Sequence, residues 1–157
     1  MKGMFHDNNL QEQFERDGYV VIDLLNHQQV EFLKQKYFDL EPIRGGMRKE
    51  YDVKFEEQKE ITYDFTFIDS NIEYKKVVFD EIATVFMPLI NQFLINYKPI
   101  IANYIHKSSQ KGEVPLHQNW AFVDEWKYTS VSIWCPLVDS NVENGTLQVV
   151  PGSHKRF

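Results

Sequence analysis

Leu116-His117-Gln118-Asn119-Trp120 and, further on, Glu143-Asn144-Gly145-Thr146-Leu147-Gln148-Val149-Val150-Pro151-Gly152-Ser153-His154 decide how this chain is read. In an extended strand, side chains two residues apart share a face. His117 and Asn119 therefore project together, and Ala121 leaves room beyond them. An imidazole and an oxygen donor so placed supply two of the three donors of a facial metal triad. The second donor is a neutral amide, not a carboxylate. On spacing alone the signal is weak, because a single strand histidine is more often structural than a ligand.

Around this pair the pattern is β. Candidate strands cover 99–106, 114–122, 128–138 and 146–150. The breaks between them carry Ser108, Ser109, Gly112, Asp124, Glu125 and Asn144-Gly145, all turn formers. Upstream the chain alternates helix and strand. Asn8 with Gln11 reads as a capping box, Leu10 and Phe14 share a helical face, and Gly18 fits a helix stop. Tyr19 to Leu25 reads as a buried strand. Asn26 caps a second helix that buries Val30, Leu33 and Tyr37.

Residues 40 to 60 contain Pro42, Gly45, Gly46 and a mixed charge run from Arg48 to Glu60, and read as a surface connector. Ile61 to Ile68 reads as a strand. A long helix follows from about Asn71, with Val78, Ile82, Phe86, Leu89 and Phe93 at helical spacing. Pro88 should kink or interrupt it.

The 157 residues fit one domain with a sizeable core. A 43% hydrophobic and 25% charged composition is that of a soluble globular protein. The net charge of -6 argues against unspecific binding to nucleic acid or an acidic membrane, since both require a positive surface. No apolar run is long enough to cross a bilayer. The start lacks an apolar signal core, so a cytoplasmic protein is expected. With a single Cys135, neither an internal disulfide nor a cysteine-based zinc site is possible. Cys135 lies between Trp134 and Pro136 and reads as a buried small hydrophobe rather than a nucleophile. His6 and His27 sit near helix starts, and His106 reads as a surface residue. There is no phosphate-binding loop, dinucleotide fingerprint or serine nucleophile elbow.

From about Ile101 to Phe157 the chain resembles the phytanoyl-CoA dioxygenase-like family. The residues that carry this are Pro115 to Trp120, Val123-Asp124-Glu125, Ser132 to Asp139, and Glu143-Asn144-Gly145-Thr146 leading to Val149-Val150-Pro151-Gly152-Ser153-His154-Lys155. Asp17-Gly18-Tyr19-Val20-Val21-Ile22 also looks like the family's opening strand. The stretch from about Glu41 to Lys98 matches only in its order of helix and strand.

The resemblance implies an α+β, mainly β fold: a double-stranded β-helix, or jelly roll, with N-terminal helices packed on it. Residues 1–98 would form the helix-rich part and 99–157 the first barrel strands of one domain. It implies an Fe(II)/2-oxoglutarate-dependent dioxygenase that uses O2 to hydroxylate a small organic substrate at an unactivated C–H bond. His117 matches the family's first metal ligand, and Asn119 stands where the family has Asp. Gln118 and Trp134 match positions that line the cofactor pocket.

Two departures follow. A neutral Asn119 removes a full negative charge beside a divalent cation, so affinity should fall. No neighbour replaces it. Glu113 and Glu125 lie about 13 Å and 20 Å away along an extended strand, and Asp124 points to the opposite face. The family's halogenating members have a small residue there, which Asn is not. The second departure is that the distal His and the 2-oxoglutarate Arg have no counterpart here. His154 belongs to a loop motif, and Arg156 sits too early. The expectation is therefore a barrel incomplete at its C-terminus and a chain inactive by itself. The alternative is a non-catalytic binding or regulatory domain derived from the same fold.

Overall fold

The computed structural model describes residues 3–46, 63–107, 114–119 and 122–155. The charge run from Arg48 to Glu60, and Ser108, Ser109, Gly112, Glu113, Trp120, Ala121 and Arg156, lie outside them. Among the described residues there are three α-helices: α1 (Asn8–Asp17), α2 (His27–Asp39) and α3 (Ile72–Phe93). Two strands, β1 (Tyr63–Phe65) and β2 (Ile105–Lys107), pair antiparallel with Asp64 opposite His106. Short 3-10 turns cover Glu41–Ile43, Thr66–Ile68 and Ser153–Lys155.

Each helix starts where a side chain can satisfy the free N–H groups of its first turn. Asp7 caps α1, its carboxylate accepting from the N–H of Asn9 at 2.7 Å. The cap is thus one residue earlier than expected. Gln11 does not close a box with Asn8; its Oε1 accepts from the N–H groups of Met4 and Phe5. Asn26 caps α2 in a complete capping box with Gln29. Asn71 caps α3. Pro88 lies inside α3 without ending it. Both Pro88 and Thr84, whose carbonyl loses its usual partner, are exposed, so water can take the freed acceptor.

The helices enclose two apolar clusters. Leu33 of α2 and Tyr74 and Val78 of α3 are fully buried with Tyr104, and Leu25, Ile82 and Phe86 pack around them. Met4, Phe5 and Leu94 form the second cluster with Phe14, Val20 and Ile90. The chain's start is tied down there by His6 N–H to Phe93 O at 2.9 Å and Ile95 N–H to Met4 O at 2.8 Å.

Residues 19–25 form no strand. Val20, Ile22 and Leu24 are half-buried while Val21 and Asp23 are exposed, so the alternation of a strand is present without a ladder partner. Val21 is 81% exposed, which corrects its reading as buried. Of the stretch 99–106 only its end joins β2, and among the described residues of 61–68 the strand is Tyr63–Phe65. No strand is formed among the described residues of 114–122, 128–138 and 146–150. The middle one nonetheless lies across the helical body, with Val131 against the second cluster and Leu137 against the first. Its Val131, Cys135 and Leu137 are half-buried, while Ser132, Trp134 and Val138 are exposed.

Candidate metal centre

Position 117 is fixed by its own backbone. The Nδ1 of His117 lies 2.8 Å from the carbonyl oxygen of Pro115. A carbonyl can only accept, so Nδ1 donates to it. The other ring nitrogen, Nε2, lies 3.2 Å from Asn119 Oδ1. On its other side the Asn119 amide donates from Nδ2 to Ser132 Oγ at 3.3 Å.

Two acceptors facing each other repel unless a cation or proton lies between them. Cis donors about 2.1 Å from a metal stand about 3 Å apart. The pair therefore fits two neighbouring positions of one metal ion. Turning the Asn119 amide over would place an N–H against Nε2 instead, with Ser132 able to donate to the oxygen. The orientation seen suits a proton on Nε2 or a cation between the two atoms. No cluster of three or more His, Cys, Asp or Glu residues forms among the described residues, so the fit extends to these two donors only.

His117, Gln118 and Asn119 are all exposed, and Trp134 is 47% exposed. Gln118 and Trp134 line neither of two surface cavities among the described residues, one with Thr66, Phe67 and Ile100 and one with Asn91, Leu94 and Lys98. Asp124 is engaged in its own turn, accepting from Trp126 N–H at 3.2 Å and pairing with Lys127 at 2.7 Å. Those contacts occupy its carboxylate within its own turn. Ser132, which holds the amide, was not singled out in the sequence. Its signal is that it alternates with Trp134 on the outward side of the segment. Burial pushes the Cys135 thiol pKa up, which suits a hydrophobe and not a thiolate nucleophile.

The loop that follows is built from its asparagines. Asn141 Oδ1 accepts from the N–H groups of Glu143 and Asn144, and Asn144 Oδ1 accepts from Asn141 N–H at 2.7 Å. The Pro151-Gly152-Ser153-His154 turn then docks on the end of α1. Gly152 N–H donates to Asp17 O at 2.8 Å, and His154 Nε2–H donates to Glu15 O at 3.2 Å. Two motifs far apart in sequence thus meet, and His154 acts as a loop anchor. A Cβ at Gly18 would stand 2.4 Å from His154 Nδ1, so the contact needs glycine there.

Helices lie under a long extended segment, and an imidazole and an amide approach each other on the exposed side of the chain. The chain belongs to the phytanoyl-CoA dioxygenase (PhyH) family, whose model matches residues 14–157. Over 52 residues it is 42% identical to a phytanoyl-CoA dioxygenase domain-containing protein 1 homolog of Dictyostelium discoideum. That stretch is 32% of this chain and 18% of the relative's length. No solved structure matches the chain.

Proposed function

We propose that this chain provides the metal-binding front of a jelly-roll oxygenase that uses Fe(II), 2-oxoglutarate and O2 to hydroxylate a small organic substrate. The observation that supports this best is the approach of His117 Nε2 to Asn119 Oδ1 at 3.2 Å in a chain of this family. These two residues would hold the iron, which when bound with 2-oxoglutarate supplies the oxidising chemistry. The chain's own work is to prepare the donors. Pro115 keeps the proton on Nδ1, and Ser132 turns the amide oxygen toward Nε2. Such outer partners orient the ligands of a metal and raise their basicity. Gln118 and Trp134 belong to the pocket wall in this reading, and no residue here takes the part of the distal His or the 2-oxoglutarate Arg. A cytoplasmic setting belongs to the same proposal.

A second reading, a non-catalytic domain kept from the same fold, is favoured by one observation: the donor beside His117 is neutral. Anaerobic calorimetry with Fe(II) separates the two. The first reading expects weak binding by the chain, none by His117→Ala, and binding tighter by an order of magnitude or more by Asn119→Asp. No binding by any of the three, with the fold retained, supports the second.

A further inference from the structure

The Asn144-Gly145 turn lies outside the candidate metal centre and carries chemistry of its own. Asn144 is the one asparagine of this chain that is followed by glycine. A backbone nitrogen can attack the side-chain amide of the asparagine before it, and a side chain on the attacking residue obstructs that approach. Glycine has none. Asn144 and Gly145 are both exposed, so water and hydroxide reach them. Gly145 adopts φ 88°, a conformation that favours glycine over any residue with a side chain. The turn therefore selects the neighbour that leaves Asn144 open to attack.

The same loop restrains the reaction. Asn144 Nδ2 donates to Asp139 O, and Asn144 Oδ1 accepts from Asn141 N–H at 2.7 Å. Both partners precede Asn144 in the chain, whereas the attacking nitrogen follows it. Asn141 Oδ1 in turn accepts from the N–H groups of Glu143 and Asn144, and Thr146 N–H donates to Asn141 O at 2.9 Å, which closes the loop. Turning the amide carbon toward the Gly145 nitrogen breaks both bonds of the amide. The loop must open first.

We propose that Asn144 is a deamidation site and that opening of the 139–146 loop sets its rate. Hydroxide takes the Gly145 N–H proton, and the electron pair of that nitrogen forms a bond to Asn144 Cγ. The Cγ–Nδ2 bond breaks, and Nδ2 leaves as ammonia with a proton from water. Water then opens the resulting succinimide at either carbonyl, which gives aspartate or isoaspartate. No oxidant or reductant takes part. Both products lose the Nδ2 donor to Asp139. In the aspartate product a carboxylate oxygen takes its place, and two facing acceptors repel. In isoaspartate the backbone runs through the side-chain carbon and is a methylene longer, so the bond between Asn141 and Thr146 no longer fits. The change runs one way, because it removes the bonds that restrained it.

Peptide mapping by mass spectrometry after incubation at mildly alkaline pH tests this, with the folded chain, folded Asn141→Ala and both chains in urea side by side. Conversion at Asn144, read as exchange of –NH2 for –OH in its peptide, should be slow in the folded chain and about tenfold or more faster in urea. Asn141→Ala removes an acceptor shared by two N–H groups. Its folded form should convert roughly fivefold faster than the parent, and the two should match in urea. Asn141 is exposed, and circular dichroism checks that the helices persist. Asn144→Asp, the direct product, should speed amide hydrogen exchange at Thr146. Equal rates in the folded chain and in urea overturn the proposal. So does a folded Asn141→Ala chain no faster than the parent, conversion at another asparagine ahead of Asn144, or Thr146 exchange unmoved by Asn144→Asp. None of these readouts involves iron, so the function proposed above holds or fails separately.

Discussion

His117 is held at Nδ1 by the Pro115 carbonyl and meets Asn119 Oδ1 at Nε2, and the candidate site follows from these two contacts. Ser132→Ala removes the group that orients the Asn119 amide. It should weaken Co(II) binding by about tenfold, as outer-shell changes do, in a spectroscopic titration. Ser132 is exposed, so the thermal midpoint should stay put. Tyr104 gives a prediction of a different kind. Its buried hydroxyl has no hydrogen-bond partner among the described residues, and burial, with Glu81 and Tyr74 nearby, raises its pKa. An unfolded tyrosine ionises near pH 10. Below that pH both states hold the proton and nothing is gained or lost. Above it the unfolded chain releases a proton that the folded chain keeps, so stability falls as pH rises. Tyr104→Phe should lessen that alkaline loss and stabilise the neutral protein by about 1 kcal/mol in urea unfolding, because a buried unpaired polar group is removed. The His117 and Asn119 pair was read from its spacing together with the family resemblance, and the structure brings the two side chains to 3.2 Å. The Pro115 carbonyl and Ser132 were not, because a backbone acceptor has no sequence signature and a serine hydroxyl fits almost any surface.

Gly18 joins two elements. It ends α1 with φ 83° and lies against His154. Gly18→Ala should cost about 1–2 kcal/mol from the backbone alone, since L-residues avoid this region. The clash with His154 adds to that, and His154→Ala in the same chain should recover the added part but not the backbone part. A double-mutant cycle by urea unfolding checks it. The helix boundaries were largely readable in the sequence. Asn26 announces α2, and Gly18 announces the end of α1, because caps are local chemistry. The start of α1 was misplaced by one residue because Asp7 and Asn8 are both good caps. Pro88 lies inside α3 without ending it, because its cost depends on whether the freed carbonyl faces water, which is tertiary information. Residues 19–25 show the same limit. Their alternation is written in the sequence, but a strand also needs a neighbour to bond with.

For the molecule as a whole, the sequence shows which segment lies outermost more readily than how it is paired. Residues 128–138 lie over both clusters through Val131 and Leu137, with Cys135 half-buried between them and Ile133 exposed. Local pattern cannot supply the long-range partners of a ladder, so the jelly roll rests on family membership and the helical body rests on the geometry. That body depends on α2 and α3 meeting at Leu33, Tyr74 and Val78. Leu33→Ala should cost about 2–5 kcal/mol, read by urea unfolding. The most direct test of the metal-binding claim is nitrogen NMR of the histidine rings during titration with Zn(II), a diamagnetic stand-in for iron. The structure predicts that His117 responds first, at Nε2, with its proton retained on Nδ1, and that Asn119→Asp strengthens the response. A His117 ring that stays unmoved while His6, His27, His106 or His154 takes the metal would contradict it.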